Sequence, residues 1–590
     1  MNPKSQRLEL TWIGKDDQPK LEPRILIEDP SKSFGDPKSQ NMLIHGDNLL
    51  ALKALEQDFS GKIKCIYIDP PFNTGQAFEN YDDNLEHSLW LSLIRKRLLI
   101  LKNLLSESGS VFIHIDDNEL GYLIALSDEV FGRKNRISVI TFKQGSATGH
   151  KSINPGCITN TNFLLWYCKN RDNWAVNRVF VQRERNDRYN QFVVNRDKPY
   201  SAWRIVPLSQ AFASEMNMEI SQLKKQLPDF DQKLDEFVMA NADRVAQLAR
   251  PNYAGVSKDA KVLIDKSKKD PKKIYHLARE GYSDMYFLRG ERIIFFRDTL
   301  KEVDGELVPG EPLTTLWDDI PSHNLHNEGG VDFPKSKKPE ALIKRCLELT
   351  TDLGEIVLDS FAGSGTTGAV AHKMGRRWVM VELGDHAQSH CVPRMKKVIS
   401  NKDESGVSKA VNWKGGGGFK FYTLAPSLLR KDSFGNWVID ENYNPDMLAG
   451  AMAKHENYKY SPSETIFWKH GQSTEKDFIY TTTQFVTKEL IDKIHEQMQA
   501  EESLLICCKS FQAGCTDGYP NINVKKIPNM LLGRCEFGRE DYSLNIINLP
   551  HDDDASSQDE PEAKAKIDKH KAKIKKPAKD QSSLFSENEE

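Results

Sequence analysis

Several things are scarce in this 590-residue sequence, and each scarcity removes a class of function. No apolar run reaches the roughly 18 residues of a membrane-spanning helix. Met1-Asn2-Pro3-Lys4 opens nothing like a signal peptide. A soluble, cytoplasmic protein with no membrane partner is therefore expected. The nine cysteines are scattered, Cys507-Cys508 stand side by side, and no C-x-x-C pair occurs. That argues against a disulfide framework and against structural zinc, so no metal is expected. Charge of one sign is also missing, because the net charge is only -3. Any nucleic-acid surface must then be a local basic face. A G-x-x-x-x-G-K-[ST] loop is absent too, which leaves no expected site for ATP.

Two stretches stand out against this background. Ile63 to Ile68 reads as a strand that ends in Asp69-Pro70-Pro71-Phe72. Far downstream, Ile356-Val357-Leu358-Asp359 runs into Ser360-Phe361-Ala362-Gly363-Ser364-Gly365-Thr366-Thr367-Gly368, an apolar strand opening into a glycine loop and a helix. A D-P-P-F turn alone says little, since aspartate and proline often close strands. The pair says more.

Length suggests about three or four domains. Residues 1–40, punctuated by prolines, read as an N-terminal arm. Residues 41–144 alternate strands with helices, the pattern of a doubly wound parallel sheet of α/β class. Asp47 lies between a short strand and a helical run, where it can cap the helix or face a ligand at the strand end. His114 sits inside a strand and reads as a core histidine. From 145 to 310 the alternation fades into an insertion. There Arg178, Arg183, Arg185, Arg188, Arg196 and Arg204 interleave with Trp174, Phe180, Tyr189, Tyr200 and Trp203. Guanidinium groups neutralise phosphates and aromatic faces stack on bases, although the acids mixed among them also fit an ordinary charged surface. Pro228-Asp229 and Asp231-x-Lys233 crowd one turn, where nuclease residues need separate strands. The core resumes over 311–415, with Glu382 ending a further strand. A flexible joint is expected at Lys414–Gly418, then a C-terminal αβ domain at 420–550 for dimer or partner contacts. The charged tail 551–590 reads as disordered.

Gly363 and Gly365 let the backbone approach a ligand, with a helix N-terminus following at Thr366. Glu382 is spaced to accept hydrogen bonds from ribose hydroxyls. The same spacing, Gly363-x-Gly365-x-x-Gly368, fits a dinucleotide fingerprint, so the loop alone suits NAD as well as S-adenosylmethionine (SAM). The D-P-P-F turn separates them. An exocyclic amine is a poor nucleophile because its lone pair is conjugated with the ring. Asp69 and the Pro70 carbonyl can accept its two N–H groups and favour a tetrahedral nitrogen. Two prolines hold the acceptors rigid, and Phe72 can stack on the base. Such a base must be flipped out of its duplex.

These motifs, in the order D-P-P-F, long insertion, F-A-G-S-G, resemble the permuted beta group of DNA adenine-N6 methyltransferases. Thr11-Trp12-Ile13-Gly14-Lys15, Gly46-Asp47-Asn48-Leu49, Asp69–Gly75 and Lys338-Pro339-Glu340-Ala341-Leu342-Ile343 more closely resemble modification (Mod) subunits of type III restriction-modification systems. The resemblance implies a Rossmann-like SAM-dependent core with an inserted DNA-recognition domain at 145–310. It implies that Asp69, Pro70, Pro71 and Phe72 are catalytic. It assigns Asp47, Lys338, Pro339, Asp359, Phe361, Gly363, Gly365, Thr366 and Glu382 to SAM, with Lys338 and Pro339 closing over its methionine end. Implied partners are double-stranded DNA with a short asymmetric site, a second copy of the chain, and a restriction subunit carrying helicase and nuclease, in a bacterial or archaeal cytoplasm. Phe72 stands where tyrosine is commoner. Alternatives are another beta-group enzyme (solitary or type II, adenine N6 or cytosine N4), a glutamine amide methyltransferase, and a DNA-binding specificity subunit that methylates only with its partner.

Overall fold

The computed structural model describes residues 9–72, 83–144, 157–320, 325–331, 333 and 337–542. Asn73–Gly75 of the extended motif, residues 145–156, Asp332, Pro334–Ser336 and the charged tail lie outside the described residues. The chain divides into two compact units. One comprises 1–175, 316–408 and 413–590, and the other 176–315 with 409–412.

The first unit is built on one large mixed sheet. Its elements in chain order are β1 (Leu26–Glu28), β2 (Phe34–Gly35), β3 (Met42–His45), α1 (Asn48–Phe59), β4 (Ile63–Ile68), α2 (Asp83–Leu104), β5 (Leu105–Ile115), α3 (Leu120–Ser127), β6 (Arg136–Lys143) and β7 (Thr161–Cys168). After the insertion come β8 (Leu316–Trp317), α4 (Glu340–Thr350), β9 (Ile356–Asp359), α5 (Thr366–Lys373), β10 (Arg377–Glu382), α6 (Val392–Ile399) and β11 (Gly418–Leu424). The spatial order is β1-β11-β3-β10-β9-β4-β5-β7-β6-β8, with β2 beside β11. From β11 through β5 all neighbours are parallel. The central strands are covered on both faces, and so β4, Ile-Lys-Cys-Ile-Tyr-Ile, is apolar nearly throughout instead of alternating.

From β4 the chain moves outward to β5, and from β9 it moves the opposite way to β10. The C-terminal ends of β4 and β9 therefore flank the point where strand order reverses. In open α/β sheets that crevice is where ligands sit.

Two expectations about boundaries differ from the structure. The proline-rich arm contributes β1 and β2, which add antiparallel strands to β11. The glycine run expected as a joint enters the sheet instead, because Gly418 begins β11 beside β3. Gly418 is needed for closeness: a Cβ there would lie 2.4 Å from Asp36 N and 2.8 Å from the Phe34 carbonyl oxygen. The C-terminal region beyond β11 has its own five-stranded sheet, yet belongs to the same unit. Lys454 Nζ donates to the Ala54 carbonyl at 2.6 Å, and Gln57 Nε2 to the Tyr458 carbonyl at 2.9 Å. Buried Arg24 is paired with Glu22, which accepts from Leu428 N at 2.7 Å.

The second unit holds a six-stranded antiparallel sheet over residues 191–295 and a three-stranded one closed by Phe180–Gln182 and Glu306–Pro312. Several expected base-stacking residues turn out to be structural. Tyr189 and Trp203 are buried, and the Arg196 guanidinium lies 4.1 Å from the Trp203 ring centroid. Tyr200 remains exposed. Trp174 belongs to the first unit, where it meets Trp166 edge-on. No described helix is long and apolar enough to cross a membrane.

A buried ionic cluster joins the helices around the glycine loop. Glu340, at the start of α4, accepts from Lys373 of α5 and from Arg394 of α6, each at 2.8 Å. All three side chains are inaccessible to solvent. Removing one member leaves an uncompensated buried charge, which costs about 3–5 kcal/mol. Glu340→Ala should accordingly lower the unfolding free energy of its unit by that order, read as a fall in the urea midpoint at unchanged m-value, and an unchanged midpoint would show that the cluster contributes little.

Candidate active site

Four neighbouring parallel strands deliver four polar side chains to one edge of the sheet. In register, β10 ends at Glu382, β9 at Asp359, β4 just before Asp69, and β5 places His114 beside that turn. The two motifs are thus brought together, although 290 residues separate Asp69 from Asp359 (359 − 69).

The glycine loop is shaped from below. Asp359 accepts from Phe361 N at 2.9 Å and from the Thr367 hydroxyl at 2.5 Å. Burial, with Asp69 and Glu382 nearby, pushes its carboxyl up to about 7. Glu382 accepts from Gly363 N at 2.7 Å and Gly384 N at 2.9 Å, and pairs with His386 at 2.8 Å. Gly363 (φ +52°) and Gly365 (φ +79°) occupy the left-handed region that side chains avoid. Among the described residues, a Cβ on Gly363 would meet only the Phe333 ring edge at 4.0 Å. Gly368 serves differently: a Cβ there would strike Met380 at 2.4 Å, so the glycine lets α5 lie close on β10. Thr366 begins α5, and its hydroxyl accepts from Arg394 at 2.8 Å.

The D-P-P-F turn is equally constrained. Trp90 Nε1 donates to the Pro71 carbonyl at 2.8 Å, a partner the sequence did not suggest. Phe72 meets the His114 ring edge-on at 5.3 Å and lies under Lys338 Nζ at 5.3 Å. Burial raises the Asp69 carboxyl above the usual carboxylate range, and Lys338 opposes that rise. The Lys338 ammonium sits 2.8 Å from Asp69 Oδ2. Lys338 was expected at the cofactor, and in this structure its ammonium pairs with the Asp69 carboxylate. Pro339 follows in extended conformation at the cap of α4, which fixes where Lys338 can reach.

Asp47 is the predicted site residue that the structure holds apart. Its carboxylate caps α1 through Leu50 N at 2.9 Å, accepts from Tyr542 N at 3.1 Å, and pairs with Arg97 at 3.5 Å. Its side chain is inaccessible to solvent and is seated as the cap of α1 in this structure. Asn48, its neighbour, reaches the loop by donating to the Ser360 carbonyl at 2.8 Å.

Sequence comparison agrees with this geometry. The family model described as "DNA methylase" matches residues 63–391, a span that includes both motifs. The chain belongs to this DNA methylase family. Among curated relatives, it is similar to the probable type III restriction-modification enzyme HindVI Mod subunit of Haemophilus influenzae, 34% identical over 424 residues, 67% of this chain and 55% of that protein. It is also similar to the type III restriction-modification enzyme EcoP15I Mod subunit of Escherichia coli, 24% identical over 489 residues, 72% of each. The chain thus spans about half the length of the Haemophilus relative. Among solved structures, the M1.HpyAVI–SAM complex aligns with a TM-score of 0.29 and 15% identity, over 60% of this chain and 98% of that one, a score too low to argue from.

A site that needs Asp69 ionised loses activity as pH falls through its carboxyl pKa. Lys338 holds that pKa down, so Lys338→Met should move the acidic limb of the pH–rate profile to higher pH. An unmoved limb at saturating substrates would show that Lys338 does not tune Asp69.

Proposed function

We propose that this chain is a SAM-dependent DNA methyltransferase acting on the N6 amine of a flipped-out adenine, and that it serves as the modification and recognition subunit of a type III restriction-modification system. The observation that carries the reading is the placement of Asp69 beside the glycine loop at the point where strand order reverses. The similarity to Mod subunits points the same way.

The residues present fit SAM. Among the described residues, the loop from Asp359 to Thr366 leaves room above Gly363, Glu382 lies at its edge as an acceptor, and Lys338 supplies a cation within the same crevice. The bound cofactor would supply a methyl group already activated on a sulfonium. The rest is the work of the chain. Asp69 and the Pro70 carbonyl would accept the two N–H groups of the amine, drawing its lone pair out of conjugation. The proline pair and Trp90 keep those acceptors from relaxing, which is where preorganised sites gain rate. Phe72, its ring tied down by His114 and Lys338, would present a face to the base.

By the same reading, the second unit contributes sequence recognition, the protein acts as a homodimer, and a separate restriction subunit supplies cleavage. Among the described residues no group of three His, Cys, Asp or Glu could hold a metal ion, and the proposed chemistry requires none.

Expression of the full chain alone in a methylation-free host, followed by long-read sequencing, tests this directly. Adenines modified on one strand of a single short motif are expected, and Asp69→Ala should abolish the signal while DNA binding persists. Modified cytosines, or normal methylation by the Asp69 variant, would overturn the assignment.

A further inference from the structure

His114 does more than fill the core. Its side chain is wholly buried in β5, one position beyond the register pair Ile68–Ile113, so it leaves the sheet alongside Asp69. Nδ1 lies 3.3 Å from Asp69 Oδ1 and 3.2 Å from the Tyr67 hydroxyl. Nε2 lies 3.0 Å from Asn162 Nδ2. The ring is fixed edge-on between Phe72 at 5.3 Å and Phe142 at 5.0 Å. Asp69 Oδ1 is itself sealed from solvent and receives no well-aligned hydrogen bond among the described residues. A buried carboxylate oxygen in that condition is costly, and one donor faces it.

The proton can be placed by elimination. Burial and the nearby Lys338 ammonium drive the His114 pKa well below its ordinary value, so the ring is neutral and carries one N–H. The Asn162 amide donates to Nε2, which must then be the bare nitrogen. The proton is left on Nδ1, which has Tyr67 Oη at 3.2 Å and Asp69 Oδ1 at 3.3 Å. At 3.3 Å the contact to Asp69 is loose, a distance that catalytic hydrogen bonds often show before substrate draws them in. Lys338 meanwhile holds Oδ2.

We propose that His114 is a positioning residue for methyl transfer, with its Nδ1–H orienting the Asp69 carboxylate toward the target amine and Asn162 fixing the tautomer that makes this possible. The inference rests on the adenine-N6 reading above. It assigns a role to the three-residue relay Asn162–His114–Asp69, which runs across β7, β5 and the end of β4.

Three variants of the full chain test it. His114→Phe keeps the apolar bulk and removes the donor, and it should slow single-turnover methylation by about 10- to 100-fold, the worth of one hydrogen bond to a charged group. Affinities for DNA and SAM should stay unchanged, because the role concerns only the reacting carboxylate. His114→Asn restores a donor at the position of Nδ1 and should recover much of the lost rate. Asn162→Asp, whose carboxylate accepts where the amide donates, should draw the proton to Nε2 and slow the reaction like His114→Phe. Selective ¹⁵N-histidine NMR of the wild type should show the proton on Nδ1. Wild-type rates in both His114→Phe and Asn162→Asp, or a proton on Nε2 in the wild type, would overturn the relay. Should His114→Phe fail to fold, His114→Asn and Asn162→Asp still decide. A wild-type chain that leaves adenine unmethylated would instead defeat the underlying functional reading.

Discussion

The position of the whole site depends on the buried carboxylate of Glu340. It is the first residue of α4, two positions after Lys338, and it is clamped by Lys373 from α5 and Arg394 from α6. Arg394 continues to the hydroxyls of Ser364 at 3.2 Å and Thr366 at 2.8 Å, inside the glycine loop. Asp403 adds a second acid on Lys373 at 2.7 Å. Ion pairs of this kind contribute modest net stability once desolvation is counted, so their value is better sought in specificity. Here the specificity is geometric. One carboxylate fixes the segment that carries Lys338 and, through Arg394, the loop below the open crevice. The segment carrying Lys338 and the glycine loop are thereby held to one another.

A second constraint is the crowding of acids at one sheet edge. Asp69, Asp359 and Glu382 end three adjacent strands, and their mutual repulsion adds to the burial that raises Asp359. The fold offsets this unevenly. Asp359 and Glu382 are satisfied by backbone N–H groups of the loop they shape, so they act as anchors of the loop. Asp69 receives Lys338 on one oxygen and a loosely placed histidine on the other. A carboxylate that must receive a substrate's N–H groups cannot also be saturated by the protein. Of the three acids, Asp69 alone meets that requirement on the contacts described. Under the proposed function, the distinction between anchoring and reacting acids follows from where the backbone donors are, and not from residue type.

How much of this was legible in the sequence depended on range. The D-P-P-F turn, the glycine loop and the cap at Asp47 are local devices, each made by residues within a few positions of one another, and all three were readable. The parallel core was readable for the same reason, since its strands are apolar runs with turns after them. What escaped is what distant segments do to each other. Lys338 was read by resemblance as a cofactor contact, and nothing in its neighbourhood could indicate Asp69 as a partner 269 residues away (338 − 69). His114 looked like a core residue and is one by burial. Its second role needs the register of β4 against β5 and of β7 against β5, which no single strand encodes. The glycine run at 414–418 has the composition of a linker, yet the tight approach of Gly418 to the backbone of Phe34 and Asp36 demands glycine at its end.

The C-terminal region illustrates the same limit from the other side. Composition marked it as a separate αβ domain, and its own sheet and core support that description locally. Its end, however, returns to the start of the methyltransferase core. Tyr542 is buried, its N–H reaches Asp47, and Arg97 bridges that carboxylate to the Tyr542 carbonyl. Burial raises the Asp47 carboxyl while Arg97 opposes the rise, so removing either partner would leave a charge stranded in the core. Asn48, held by the same Arg97, braces the Ser360 carbonyl at the root of the glycine loop. A chain of buried polar contacts thus runs from residue 542 through 97 and 48 to the loop. The C-terminal region is by these contacts a structural part of the unit that carries the glycine loop.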